Sequence, residues 1–438
     1  LDAAWESGLK VIELLGANFP KSVGKVKVLI QFLKIKWLLR KTDPETLLDR
    51  HEIADKEAEQ LLLTFMELIA SAWGRKPELL AYIVLKGFEI VLLKGNSPVG
   101  YFGVSGYGAM LGLAFGKHLE GWEYVKLGGQ LTEKYDSMIF HGRGNFAVHG
   151  TYSHLIVHAD KNIGPLEDAF MFSKGAGDYS VASYSGLILV ENMRVIGVPL
   201  DQVIAKAQSY FKFEKRTANY DYLSSHKSIV VASEILIYGY DFMSAKIEKM
   251  QKRINRVNFQ HIRYSWRLCY LKSLIVLGEN KKAGLVADSI LEENYAGMSA
   301  LEMNRAILLS IVDAEAAKMG GGKRYLKRIK LVKKHALKIA KTNPDNYKQI
   351  SALCNALLAE IQGNKEDTIN LYKEAISATD QYRFIHNKAL FSERLGRFLL
   401  EIGEKEKGYE QLTLAMSAYD EWGASYKVKL LKNELADS

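Results

Sequence analysis

The sequence predicts an all-α fold, a right-handed superhelical solenoid of stacked helix hairpins, and three observations predict it. Eight chain reversals, at Gly116, Asp160, Gly197, Gly239, Gly278, Gly320, Gly363 and Gly403, follow one another at intervals of 37 to 44 residues. A period of roughly 20–50 residues marks units that bury their apolar faces only by stacking on neighbours. Helical periodicity runs through the chain. Segments 183–190 and 228–237 carry sheet-favouring residues but sit between helix-like pairs, and both are assigned to helix. Finally, positions 5, 9 and 12 after several reversals are small or apolar: Gly121, Val125 and Gly128; Ala283, Ala287 and Ile290; Tyr325, Ile329 and Val332; Thr368, Tyr372 and Ala375; Gly408, Leu412 and Ala415. Steps of four and three keep these on one helix face. After Gly197 and Gly239 the ninth positions are Lys206 and Glu248, so those two reversals rest on spacing alone.

Taken in order, helices are expected over residues 2–15, 24–41, 55–73 and 77–94, with lengths that do not follow the later period. Residues 1–97 therefore read as an irregular N-terminal helical segment, a cap or a junction to an upstream domain. Ser97 followed by Pro98 is a helix cap and first helical residue, and it opens the repeats of residues 98–422. Before the last reversal, Leu395, Gly396 and Leu399 supply the matching face of the first helix, so the hairpins read as tetratricopeptide-like with a repeat of about 40 residues rather than the usual 34 or so. Gly423 ends the last hairpin and residues 423–438 form a C-terminal capping helix. The chain begins at Leu1 and is expected to be a piece of a longer protein.

Composition narrows the class. Hydrophobic residues make up 48% of 438, enough for a continuous core, and with only seven prolines no linker breaks the chain. Cys269 and Cys354 lie far apart inside apolar helical patterns, which is neither a disulfide framework nor a metal spacing, and a cytoplasmic setting is expected. The longest apolar runs are far shorter than the roughly 18 or more residues of a membrane span.

Three local patterns resemble one known group. The closing stretch Ala415, Tyr419, Trp422-Gly423-Ala424, Lys427-Val428, Leu431 is similar to the end of the helical region that follows the AAA-type ATPase module in large bacterial signalling proteins, the serine/threonine kinase–ATPase–sensor histidine kinase proteins and their cyclase-linked relatives. Lys94-Gly95-Asn96-Ser97-Pro98 leading to Tyr107-Gly108 resembles the segment that opens that family's repeats, and Asn343-Pro344-Asp345-Asn346-Tyr347 gives a third match. The resemblance spans roughly residues 5 to 434. It implies a regulatory module of signal transduction attached to ATPase, kinase or cyclase domains, with no catalytic residue in this region.

Candidate chemistry is sparse. His154 and His158 have the spacing of a zinc-binding helix, with His149 nearby, but the glutamate that should follow the first histidine is missing and no third ligand stands at a recognised distance. Gly142-Arg143-Gly144 follows no strand, and Gly320-Gly321-Gly322-Lys323 lacks the Ser or Thr of a phosphate loop. No catalytic, cofactor or metal residue is assigned. An enzyme with its site in the glycine- and histidine-rich stretch 101–158 is a third, weaker alternative.

Charge offers more. The net charge is +9, and between residues 316 and 344 there are ten Lys or Arg and no acid. Lys323, Lys327, Lys330, Lys334, Lys338 and Lys341 recur at four and three as one stripe, with Tyr325, Ile329, Val332, Ala336 and Ile339 on the buried face. Further basic runs span 246–267, with Arg253, Arg256, Arg263 and Arg267, and 21–41. Such stripes are usually solvated; as binding surfaces they suit an acidic protein partner first and nucleic acid or anionic lipid second. Aromatics do not interleave with the lysines as a single-strand binder requires. The expected function is a non-catalytic interaction and regulatory module that binds a protein or regulatory ligand.

Overall fold

The computed structural model describes residues 2–20, 22–40, 42–73, 77–293, 295 and 297–436, with side chains also described except at 2–4, 70, 71 and 73. Among these residues there is no strand. One isolated bridge pairs Glu52 with Asn96. The chain divides into two compact units, residues 1–156 with 168–182, and residues 157–167 with 183–438.

In the first unit, helices α1 (Asp2–Leu14), α2 (Lys25–Leu39), α3 (Lys56–Trp73) and α4 (Pro77–Lys94) precede α5 (Tyr101–Phe115), α6 (His118–Glu133) and α7 (Met138–Asn145). Gly116 ends α5 in the left-handed conformation, φ 66° and ψ 24°, and α6 folds back on it. Glycine closes that pair and the contact of α5 with α4: a Cβ at Gly108 would press on the carbonyl of Gly121 in α6, and one at Gly103 would lie 2.5 Å from the Phe88 nitrogen in α4. Overpacking of this kind costs about 1–3 kcal/mol. The motif around Asn96 works in the same unit. Its backbone nitrogen donates to the His51 carbonyl (2.9 Å), its carbonyl accepts from Ile53 (2.8 Å), and its buried side chain donates to the Leu47 carbonyl (2.6 Å). Ser97 accepts from the Val99 nitrogen and caps a short 3-10 turn, Pro98–Gly100, from which α5 continues.

Helices α8 (Ile163–Gly175) and α9 (Tyr179–Ile196) contribute to both units, and the second continues with α10 (Leu200–Ser209), α11 (Phe211–Arg216), α12 (Tyr220–Tyr238), α13 (Tyr240–Ile254), α14 (Gln260–Val276), α15 (Asn280–Glu293), α16 (Leu301–Lys318), α17 (Lys323–Ala340), α18 (Pro344–Gln362), α19 (Lys365–Gln381), α20 (Ile385–Glu401), α21 (Lys405–Trp422) and α22 (Ser425–Ala436). Residues 183–190 and 228–237 are helical, in α9 and α12, because their β-branched side chains are buried between neighbouring helices. Gly239, Gly278, Gly320, Gly363 and Gly403 turn successive pairs from α12–α13 to α20–α21, each with positive φ. This is an α-solenoid of tetratricopeptide-like hairpins. Its first helices stack, α12 on α14, α14 on α16 and α16 on α18, and α22 packs on both α21 and α12, so the succession returns on itself.

Two sequence expectations change. Asp160 is not a hairpin turn: it lies in a 3-10 turn, Ala159–Asn162, within a run of short turns that replaces a helix pair. After Gly239 the buried face is Met243, Ile247, Met250 and Ile254, one residue earlier than the positions read from the other hairpins. The cause is local. Helix α13 begins immediately after Gly239, whereas α15, α19 and α21 begin two residues after their glycines. One residue is about 100° of helix, and Glu248 accordingly faces out.

The terminal signature has a packing role. Gly423 caps α21 with φ 87° and ψ 19°, while Glu393, on α20, accepts from the Tyr419 hydroxyl (2.9 Å) and from Lys427 of α22 (2.6 Å). The Asn343 motif likewise anchors chain. Asn343 and Asn346 both donate to the Val157 carbonyl at 2.9 Å, and Asn346 accepts from Ala159 at 3.1 Å.

Candidate partner-binding surface

Helix α17 shows all six stripe lysines exposed, Lys323, Lys327, Lys330, Lys334, Lys338 and, at its C-cap, Lys341, opposite buried Ile329, Ala336 and Ile339. Among the described residues none of the six has an ion-pair partner. The arginines of the same helix behave differently: Arg328 forms a two-pronged pair with Asp313, and Arg324 and Arg328 lie 4.7 and 4.9 Å from the Tyr325 ring centre. The first turn contains no acid, so Lys323 and Arg324 sit at the positive end of the helix dipole. Like charges four apart each cost a few tenths of a kcal/mol. The stripe thus runs against local helix preference along its whole length.

The second basic run splits in two. Arg263 and Arg267 converge on Glu293, with Arg263 at 3.0 Å. Lys249, Lys252, Arg253 and Arg256, on α13, instead line an open cleft of about 650 Å³ with Tyr220, Asp221 and Ser224 of α12. Arg253 donates to the Ser224 hydroxyl at 2.7 Å, and Glu248 holds Lys252 at 2.6 Å. Burial first, then the charges of Arg253, Lys215 and Lys249, holds the Lys227 ammonium below its usual pKa. Cations outnumber acids here. The sequence reading named the run but not the cleft, since Tyr220, Asp221 and Ser224 reach it only through the α12–α13 turn.

In the third run Lys34 pairs with Glu89 of α4, which also pairs with Lys86 of its own helix and accepts from Gln31 at 2.7 Å. Its ends, Lys21 and Lys41, lie outside the described residues. Helix α2 has a second feature that charge reading missed: Val26, Leu29, Ile30, Leu33 and Trp37 are 53–70% exposed. Their spacing of three and four puts them on one face, away from buried Phe32 and Ile35.

The histidines do not share a helix. His154 lies in a 3-10 turn, Ser153–Leu155, buried and pushed down to about 3 by desolvation and then by His118. His158 caps the next turn, with Nδ1 2.8 Å from Asp160 and Nε2 3.1 Å from the Tyr382 carbonyl. Among the described residues no three His, Cys, Asp or Glu side chains gather as a metal site. Glycines of the stretch 101–158 are used for close packing: Gly142 faces Ser173, and Gly112 and Gly121 face the Tyr152 hydroxyl, which donates to the His118 carbonyl at 2.9 Å. Gly320 and Gly322 form the α16–α17 turn, φ 84° and 86°. Cys269 and Cys354 are free and buried, the Cys354 thiol pushed up to about 11 by desolvation. No described helix is long and apolar enough to cross a membrane.

Compared with known proteins, the chain matches no family model and no curated protein. Among solved structures it is similar to a Rap protein complexed with competence and sporulation factor, with TM-score 0.36 and 10% identity over 94% of this chain and 99% of that one. At that score the likeness carries no argument, and the repeat architecture rests on the helices themselves.

Proposed function

We propose that this chain is a non-catalytic helical-repeat module that binds an acidic protein surface and couples that binding to attached signalling domains. The observation that carries the reading is cationic surface without counter-charge: Lys249 and Arg256 in the α13 cleft and the six lysines of the α17 stripe have no described carboxylate as a partner, although the half-buried Arg328 of α17 is paired with Asp313. Natural sequences break local preference mostly where function requires it. The resemblance noted above supports ATPase, kinase or cyclase domains as the attached partners. Residues 1–97 are the proposed junction to them, and the exposed apolar face of α2 is the surface that supports it, since contiguous exposed apolar residues mark contacts. Residues 98–422 are the proposed recognition region.

The test is fluorescence anisotropy of a Glu- and Asp-rich peptide against the full chain over a series of ionic strengths. Binding that weakens with salt, and about tenfold weaker binding by Arg253→Glu/Arg256→Glu (about 1.4 kcal/mol), is expected. No binding at low salt removes the reading, and tighter binding of a DNA of equal charge replaces it with a nucleic-acid partner.

A further inference from the structure

Inside the second unit, four side chains gather without a carboxylate among them. Arg194 of α9, Lys272 of α14, His386 of α20 and Trp422 of α21 are each 3% exposed or less. The Lys272 ammonium lies 5.3 Å from the Trp422 ring centre, and the His386 and Trp422 rings are 5.5 Å apart. Arg194 is held by one bond, from Nη1 to the Ser233 hydroxyl at 2.7 Å. Arg194 Nη2, Lys272 Nζ, Trp422 Nε1 and both His386 ring nitrogens have no hydrogen-bonding partner among the described residues.

Apart from the imidazole, which offers one acceptor nitrogen when neutral, the chemistry of these atoms is one-sided. A guanidinium and an indole only donate, and so does an ammonium. Leaving one buried donor unmet is costly, and leaving two cations together without a counter-charge is more so. The carboxylates nearest in sequence are already engaged: Glu191, one turn before Arg194, pairs with His261 at 3.0 Å, and Glu393, on the same helix as His386, takes Tyr419 and Lys427. Burial and the Arg194 charge both push Lys272 towards its neutral amine, yet a neutral Lys272 leaves Arg194 charged with Nη2 unmet. What the cluster lacks is an acceptor that carries negative charge.

We propose that Arg194, Lys272 and Trp422 form a buried anion site that takes a small acceptor-only anion, a halide or a carboxylate, with His386 as its aromatic wall. His386 Nδ1 faces Gly197, where a Cβ would collide with it, so this wall is fixed on one side. The site is separate from the exposed cleft on α13.

The test uses the full chain. Bromide or acetate is titrated at constant ionic strength against a bulky sulfonate buffer anion while thermal unfolding is followed, and crystals grown in bromide are measured for anomalous scattering. The expected result is a saturable rise in Tm of about 2–4 °C, a bromide peak beside Lys272, and loss of the rise in Lys272→Met. Trp422→Phe keeps an aromatic ring while removing the Nε1 donor together with the second ring of the indole, and reduces the rise even where the Lys272 variant folds poorly. A response to bromide alone assigns a halide site, and a response to acetate assigns a carboxylate site. The proposal is overturned if neither anion moves Tm and no peak appears, or if both variants keep the full response.

Discussion

Around Glu393 a buried carboxylate collects a tyrosine hydroxyl and a lysine from two neighbouring helices, whereas around Lys272 two cations and an indole share the interior with no carboxylate bonded to them among the described residues. Both clusters belong to the same unit and both are closed from solvent. The difference teaches how to separate a buried charge that belongs to the fold from one that points beyond it. A carboxylate with its cation and donors in place fixes the angle between α20, α21 and α22 and asks for nothing further. Donors without an acceptor make the interior less stable than an apolar one would be, and the fold tolerates them only with some return elsewhere.

The largest break in this comparison is expected at Glu393. Glu393→Ala strands Lys427 and Tyr419 in the interior and is expected to cost about 3–5 kcal/mol, read as the shift in chemical denaturation midpoint. Next is a pH effect in the other cluster. His386 is held well below its ordinary pKa by burial, then by the charges of Lys272 and Arg194. Above the unfolded value near 6.5 both states are neutral. Below it the unfolded chain takes up a proton that the folded one refuses, so stability falls as pH drops, by up to about 1.4 kcal/mol per pH unit. His386→Gln is expected to be flatter than the parent between about pH 6.5 and 5 in denaturation series, and other histidines cancel in the difference; equal slopes would break the assignment. The smallest effect is on α17, where the charge is exposed. Lys330→Glu is expected to change unfolding stability by less than about 0.5 kcal/mol, and in the stabilising direction because it relieves repulsion with Lys327 and Lys334. It therefore separates the stripe's role in binding from any role in folding.

Much of the repeat was legible because its signals are local. A glycine that must take positive φ, followed by apolar residues at steps of three and four, needs no distant information, and the hairpins from Gly278 onward follow that rule. The rule slips at Gly239, where α13 starts one residue sooner, and fails at Asp160, where bonds to Asn346 and Tyr382 hold chain in short turns instead of a helix pair. Those bonds span well over a hundred residues and leave no periodic trace. The basic stripe was legible for the same reason as the hairpins, being one helix read at its own period. The α13 cleft was only half legible, because α12 supplies part of its lining.

By itself the sequence determined the all-α class, the hairpin period from Gly278 onward, the buried faces of α15, α19 and α21 and the places where charge would accumulate, all properties set within one or two helical turns. Only the tertiary structure decided that α22 returns to α12, that Arg263 and Arg267 are neutralised while Lys249 and Arg256 are not, and that Arg194, Lys272, His386 and Trp422 meet. Charge and burial are cooperative: whether a lysine is solvated, paired or stranded depends on side chains brought together from four helices, and no spacing along one of them encodes the meeting.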